Sequence, residues 1–190
     1  MRWLESTGGD AMAVFMRQAL YADLLVLGQH DASAAHGSAA PPGFVESALI
    51  DTGKPALVVP HTGSFETIGR DELIGWNATV PAAHAVAAAL PWLHGARHVH
   101  VVEKTGLQGR HADELDIAQY LRLHGITPTL HPRFEANVHA GGPLLSLASA
   151  VGADLLVMGC YGHSRARELV LGGATRAVLQ AMTLPVLMAH

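Results

Sequence analysis

A chain of 190 residues, 49% of them hydrophobic, can build one large domain or a domain and a half, because single cores commonly hold roughly 100 to 200 residues. The charged fraction is only 15% and the formal net charge is -4, which argues against a protein that grips nucleic acid through bulk positive charge. The single cysteine, Cys160, excludes an intrachain disulfide and fits a reducing compartment. No apolar run approaches the roughly 18 to 20 residues that span a bilayer, and the Met1 end lacks the basic-then-apolar pattern of a secretory leader. The expectation is a cytoplasmic protein with no membrane and no nucleic-acid partner.

In chain order, a first helix leads into the apolar run Asp23 to Gly28, and an Ala/Ser/Gly/Pro-rich loop follows from Ala32 to Gly43. A second helix ends before the Pro-led strand Lys54 to Val59. After Thr62-Gly63-Ser64-Phe65-Glu66-Thr67, a short strand opens at Asp71 and ends in a turn at Asn77. An Ala-rich helix is expected from Thr79 to Trp92, with Pro81 in its first turn, where a missing N–H costs little. A strand at Arg97 to Glu103 and a helix from Gly109 to Leu123, stopped by Gly125, come next. The rest reads as a strand at Ile126 to Arg133, a helix over Asn137 to Val151, a strand at Ala153 to Met158, a helix over Arg167 to Met182 and a strand at Val186 to Ala189.

Comparison of the chain with itself reveals a repeat. Tyr21-Ala22-Asp23-Leu24-Leu25-Val26-Leu27-Gly28 answers Gly152-Ala153-Asp154-Leu155-Leu156-Val157-Met158-Gly159, and Lys54 to Val59 answers Leu184 to Ala189 at almost the same offset. Buried apolar strands alternating with helices call for a parallel, doubly wound α/β sheet. Residues 71–190 hold five strands of that plan, residues 63–70 read as a linker, and residues 1–62 hold only the trailing half of another copy. An unpaired edge on the Asp23 to Gly28 strand would be an aggregation liability, so Met1 is expected to be internal to a longer gene product.

Gly159, Gly162 and Gly172 follow the second apolar run in a Gly-x2-Gly-x9-Gly pattern, the kind of strand-loop-helix that offers backbone N–H groups to a phosphate. With the repeat, these residues resemble the universal stress proteins of the tandem kind, with an N-terminally truncated first domain. The resemblance implies an open five-stranded parallel sheet of order 3-2-1-4-5 with helices on both faces, and a ligand crevice between the strands ending at Asn77 and Gly159. It further implies an adenine nucleotide, ATP or AMP, as ligand. Asn77 stands where binding members carry Asp, Val101 where a Val packs on adenine, and Met158 before the first glycine. Gly173 replaces the family's Ser or Thr after Gly172, with Ala174 and then Thr175, the nearest hydroxyl, behind it; His163 follows Gly162 beside the phosphates. The first copy, Gly28-Gln29-His30-Asp31, lacks this pattern after Gly28.

The alternative is a module of the same family that binds no nucleotide and serves dimerisation. Family members pair through their last strands, so Leu57 to Val59 is expected against Leu187 to Ala189, within one chain or in a homodimer. His163, Arg165 and Arg167 also fit a solvated surface, Cys160 fits either a reactive thiol or a buried filler, and Asp113, Glu114 and Asp116 a solvated helix face. His98 and His100 alternate on one strand face without a third ligand at zinc spacing, so no metal site is expected. No nucleophile and base stand in a recognisable arrangement, and no enzymatic activity is expected.

Overall fold

The computed structural model describes residues 11–31, 43–104, 115–134, 141–161 and 173–190. In chain order its elements are α1 (Ala11–Ala19), β1 (Leu25–Gly28), α2 (Phe44–Thr52), β2 (Ala56–Val59), β3 (Asp71–Trp76), α3 (Val80–Leu93), β4 (His98–Lys104), α4 (Ile117–Leu123), β5 (Thr129–Phe134), α5 (Gly141–Ala150), β6 (Leu155–Gly159), α6 (Gly173–Ala181) and β7 (Val186–Ala189). The strands form one seven-stranded sheet in the order β1-β2-β7-β6-β3-β4-β5. The run from β5 to β7 is parallel throughout and follows the expected 3-2-1-4-5 order. The sheet does not stop at five strands: β2 lies antiparallel to β7, with Leu57 opposite Leu187, and β1 lies parallel to β2. The sheet is therefore mixed, with β2 covering the outer edge of the apolar β7.

Alternation along the strands sorts two cores onto the two faces. Leu73, Leu156, Met158, Val186 and Met188 pack with α1, α2, α5 and α6 residues such as Leu49, Leu144 and Val178. Ile74, Val101, Leu155, Val157 and Leu187 pack beneath α3 and α4, against Ala85, Val86, Ala89, Leu93 and Leu121. Among the described residues β1 is covered on one face; Val26, on the other, is 66% exposed.

The two copies of the repeat carry matching backbone hydrogen bonds. Gln29 N–H donates to Val59 O at 2.8 Å and Cys160 N–H to Ala189 O at 2.9 Å; Leu25 N–H donates to Pro55 O at 2.9 Å and Leu156 N–H to Pro185 O at 3.0 Å. The aspartates that lead the two strands differ. Asp154 Oδ1 accepts from the N–H groups of Gly69 (3.0 Å), Arg70 (2.9 Å) and Asp71 (3.0 Å), and its Oδ2 accepts from Thr67 Oγ1 at 3.3 Å. One carboxylate thus anchors the segment entering β3, whereas Asp23 is exposed. Asp154→Ala is expected to cost about 2 kcal/mol, the usual worth of hydrogen bonds to a charged acceptor, and Asp23→Ala less than about 0.5 kcal/mol; urea midpoints of the two variants check this.

Local signals account for the helix ends. Thr79, in extended conformation, caps α3 by accepting from Ala82 N–H, with Pro81 in the first turn. Of the helix expected from Gly109 to Leu123, residues 109–114 lie outside the described residues, and α4 begins at Ile117. Asp116 is its N-cap, accepting from Gln119 N–H at 2.7 Å while the Gln119 side chain accepts from Asp116 N–H at 3.0 Å, so Asp116 closes a capping box and is not part of a helix face. Asp113, Glu114 and the expected starts of the helices at Asn137 and Arg167 lie outside the described residues.

Candidate functional site

The strand order reverses at β3, which has β4 on one side and β6 on the other. Such a switch point opens a crevice beyond the carboxyl ends of the two central strands. Register sets Gly75 beside Met158, so Asn77 and Gly159 emerge on neighbouring strand ends. Asn77 Oδ1 accepts from Thr79 Oγ1 at 2.7 Å, which ties the residue to the cap of α3.

Gly159 is pressed against the first turn of that helix. A Cβ there would lie 2.4 Å from Ala82 N and 2.7 Å from the carbonyl carbon of Pro81, so the position admits no side chain. On the far side, His190 Nδ1 stands 3.3 Å from Cys160 O and His84 Nδ1 3.1 Å from His190 O, which links β7, α3 and the end of β6.

Two backbone conformations mark the crevice. Among the described residues, the non-glycine residues with positive φ are Ala78 and Tyr161, both at 53°. They follow β3 and β6, one on each side of the switch point. A left-handed conformation costs an L-residue roughly 1 to 2 kcal/mol, and such strain gathers where a site needs it. Two polar atoms of residues at these strand ends lack partners: Trp76 Nε1, whose ring packs on the α3 and α4 face of the sheet, and Tyr161 Oη, whose ring packs on the opposite face, are buried with no hydrogen-bond partner among the described residues, a state native proteins seldom leave without a reason. Burial also pushes the Tyr161 phenol well above its ordinary range.

The other expected site residues are distributed unevenly. Val101, opposite Ile74 in β4, is fully buried beneath α3 and α4. Met158 is buried on the other face of the sheet. Gly173 and Ala174 are half-buried at the start of α6, while Thr175 is only 3% exposed. Gly162, His163 and Gly172 lie outside the described residues. Cys160 is 1% exposed, its Sγ donates to Ala189 O at 3.2 Å, and burial pushes its thiol up to about 12; this excludes the reactive-thiol reading, because a nucleophilic cysteine needs an exposed thiolate. Sequence reasoning misses the strained pair and the unpaired indole and phenol. The one available signal is that Ala78 and Tyr161 closely follow the apolar strands.

An α/β fold with this strand order defines the doubly wound class of protein. The family model for the universal stress protein family matches residues 77–190, more than half of the chain, and the chain belongs to that family. It is 27% identical over 176 residues to universal stress protein Slr1230 of Synechocystis sp., the alignment covering 87% of this chain and 57% of that protein. Its fold is similar to that of a universal stress protein from Archaeoglobus fulgidus DSM 4304, with a TM-score of 0.70 at 18% identity over 95% of this chain and 65% of the other. A functionally unknown protein from Pseudomonas aeruginosa PAO1 gives a TM-score of 0.57 at 14% identity, covering 95% of this chain and 68% of that one. The chain thus spans 57% and 65% of the lengths of the first two. Among the described residues, no helix is long and apolar enough to cross a membrane.

Proposed function

We propose that this universal stress protein module binds an adenine nucleotide, ATP or AMP, in the crevice between the ends of β3 and β6. The observation that carries the reading is the paired strain at Ala78 and Tyr161, one residue on either side of the switch point. Around it, Asn77 Oδ1 has acceptor capacity beyond its single bond from Thr79, suited to a ribose hydroxyl or an adenine amine. The start of α6 at Gly173 and Ala174 supplies N–H groups at the positive end of a helix. Nucleotide bound to the folded state alone would stabilise it by RT ln(1 + [L]/Kd), which couples nucleotide level to the population able to meet a partner.

Isothermal titration with ATP and with AMP tests the reading. Heat of binding is expected for the parent chain, with Asn77→Ala weakening it about tenfold, the effect of one lost hydrogen bond to an otherwise unpaired ligand group. No heat and no thermal shift at millimolar nucleotide would refute it.

A second reading, an interaction module that holds no nucleotide, draws on Gly159. Close packing of α3 already accounts for the missing side chain there, and neither Val101 nor Thr175 offers much surface to a ligand. An absence of binding together with concentration-dependent association would favour it.

A further inference from the structure

Among the described strands, β1 and β5 are the two edges of the sheet, because β2 and β7 close on each other inside it. The edges are built differently. β5 carries Pro132, which has no N–H to offer, and beside it Arg133, in an ion pair with Glu103; proline and charge are the usual devices that keep an edge from pairing. β1 is Leu25-Val26-Leu27-Gly28 and has neither. Its Leu25 N–H donates to Pro55 O of the chain entering β2, and Gln29 N–H to Val59 O. By the alternation of a strand, the N–H and C=O groups of Val26 and Gly28 point the other way, where no described strand takes them. Apolar side chains gather at the same edge: Leu20 and Tyr21, in the turn after α1, are 59% and 89% exposed, and Val26 is 66% exposed.

We propose that β1 pairs antiparallel with β1 of a second copy of this chain about a two-fold axis at Val26, so that one sheet runs through both copies. A strand that meets itself across a two-fold axis is antiparallel to it. An outward-facing residue on the axis exchanges both of its hydrogen bonds with its own copy, so the N–H of each Val26 donates to the C=O of the other. Within β1 the outward residues are Val26 and Gly28. Gly28 on the axis would leave the two Val26 side chains apart, whereas Val26 on the axis sets them side by side on the uncovered face, their Cα atoms about 5.5 Å apart. The same register pairs Gly28 with Leu24 of the second copy. It also sets Asp23, the one charge in residues 20–28, opposite Gln29 and away from its own copy, which avoids the cost of like charges placed directly opposite.

An edge of four residues is short, so the contact is small and the dimer weak, in the class of transient assemblies that bury less than about 1,200 Å². Its stabilising terms are the hydrogen bonds of the outward backbone groups and the apolar surface that the paired Val26 side chains remove from water. β2 and β7 separate β1 from the crevice at β3 and β6, so the association does not rest on the nucleotide reading and is expected with and without ATP.

Sedimentation equilibrium of the whole chain from about 10 μM to about 1 mM tests the pairing. The average mass is expected to rise toward twice that of one chain; a mass that stays at one chain throughout overturns the proposal. Val26→Pro removes an outward N–H without touching a bond to β2, and Val26→Lys sets a charge beside its own copy. Each is expected to weaken the dimer at least tenfold, with circular dichroism confirming the fold. Leu130→Lys, at a position 56% exposed on β5, is the control and is expected to associate as the parent does. Cross-linking reads the register: Val26→Cys is expected to form a disulfide-linked dimer at least tenfold faster than Leu130→Cys, because Cα atoms about 5.5 Å apart lie within disulfide reach. Association unchanged in both Val26→Pro and Val26→Lys, an equal loss in Leu130→Lys, or equal cross-linking rates at the two positions overturns it.

Discussion

Gly159→Ala is expected to destabilise the protein by about 3 kcal/mol, the upper end of the usual cost of overpacking a core. The added Cβ would meet Ala82 N at 2.4 Å, the Pro81 carbonyl carbon at 2.7 Å and Ala82 Cα at 2.8 Å. All three are backbone atoms, so no side-chain rotation relieves the clash. The first turn of α3 must move, and with it the Thr79 cap and Asn77, which accepts from Thr79. The repeat supplies an internal control. At Gly28, the counterpart of Gly159, an added Cβ would meet nothing within 4 Å and the backbone has no positive φ, so Gly28→Ala is expected to fall within about 0.5 kcal/mol of neutral. Urea unfolding of both variants measures the contrast; equal midpoints would show that α3 yields more readily than its backbone contact implies.

Glu72 gives the second large effect. It is fully buried in β3 between Val99 and Leu155, and neither carboxyl oxygen has a partner among the described residues. Burial, and then the nearby negative charge of Asp154, push its carboxyl up to about 8 from an ordinary 4.5. The folded chain therefore holds a proton that the unfolded chain releases near pH 4.5. Stability from this group is fully present below that pH and is lost as pH rises toward and through about 8. At 1.36 kcal/mol per pH unit across the window, the loss is on the order of 5 kcal/mol. Glu72→Gln cannot ionise, so its stability is expected to change far less between about pH 5 and about pH 8.5 and to exceed that of the parent by a few kcal/mol at the alkaline end. Parallel pH profiles of urea stability for the two proteins would contradict the assignment.

Both effects depend on features that differ in how far the sequence reveals them. The glycine at 159 is conspicuous because it closes an apolar strand, and a phosphate is the natural reason to expect for it. Its nearest neighbour is instead the backbone of α3, a contact set by the packing of a helix that begins roughly eighty residues earlier. Glu72 gives no signal: one acidic residue at the start of a short strand reads as a solvated edge, and only the position of β3 at the middle of the sheet buries it. The histidines follow the same logic, since the i, i+2 spacing of His98 and His100 is visible in the sequence and the approach of His131 is not.

The sequence by itself determined the alternation of helices and strands and the repeat of Asp23 to Gly28 in Asp154 to Gly159, because these rest on local periodicity and turn chemistry, while its glycine motif carried the resemblance to the family, and the order of the five strands from β3 to β7 followed from that resemblance. Tertiary structure alone decided that the pairing of β2 with β7 is made within one chain, closing a seven-stranded sheet, that Gly159 touches α3, that Ala78 and Tyr161 are strained after β3 and β6, and that His131 meets His100. These depend on register and on contacts between distant segments, which side-chain periodicity constrains to a face of the sheet without naming the neighbour across it.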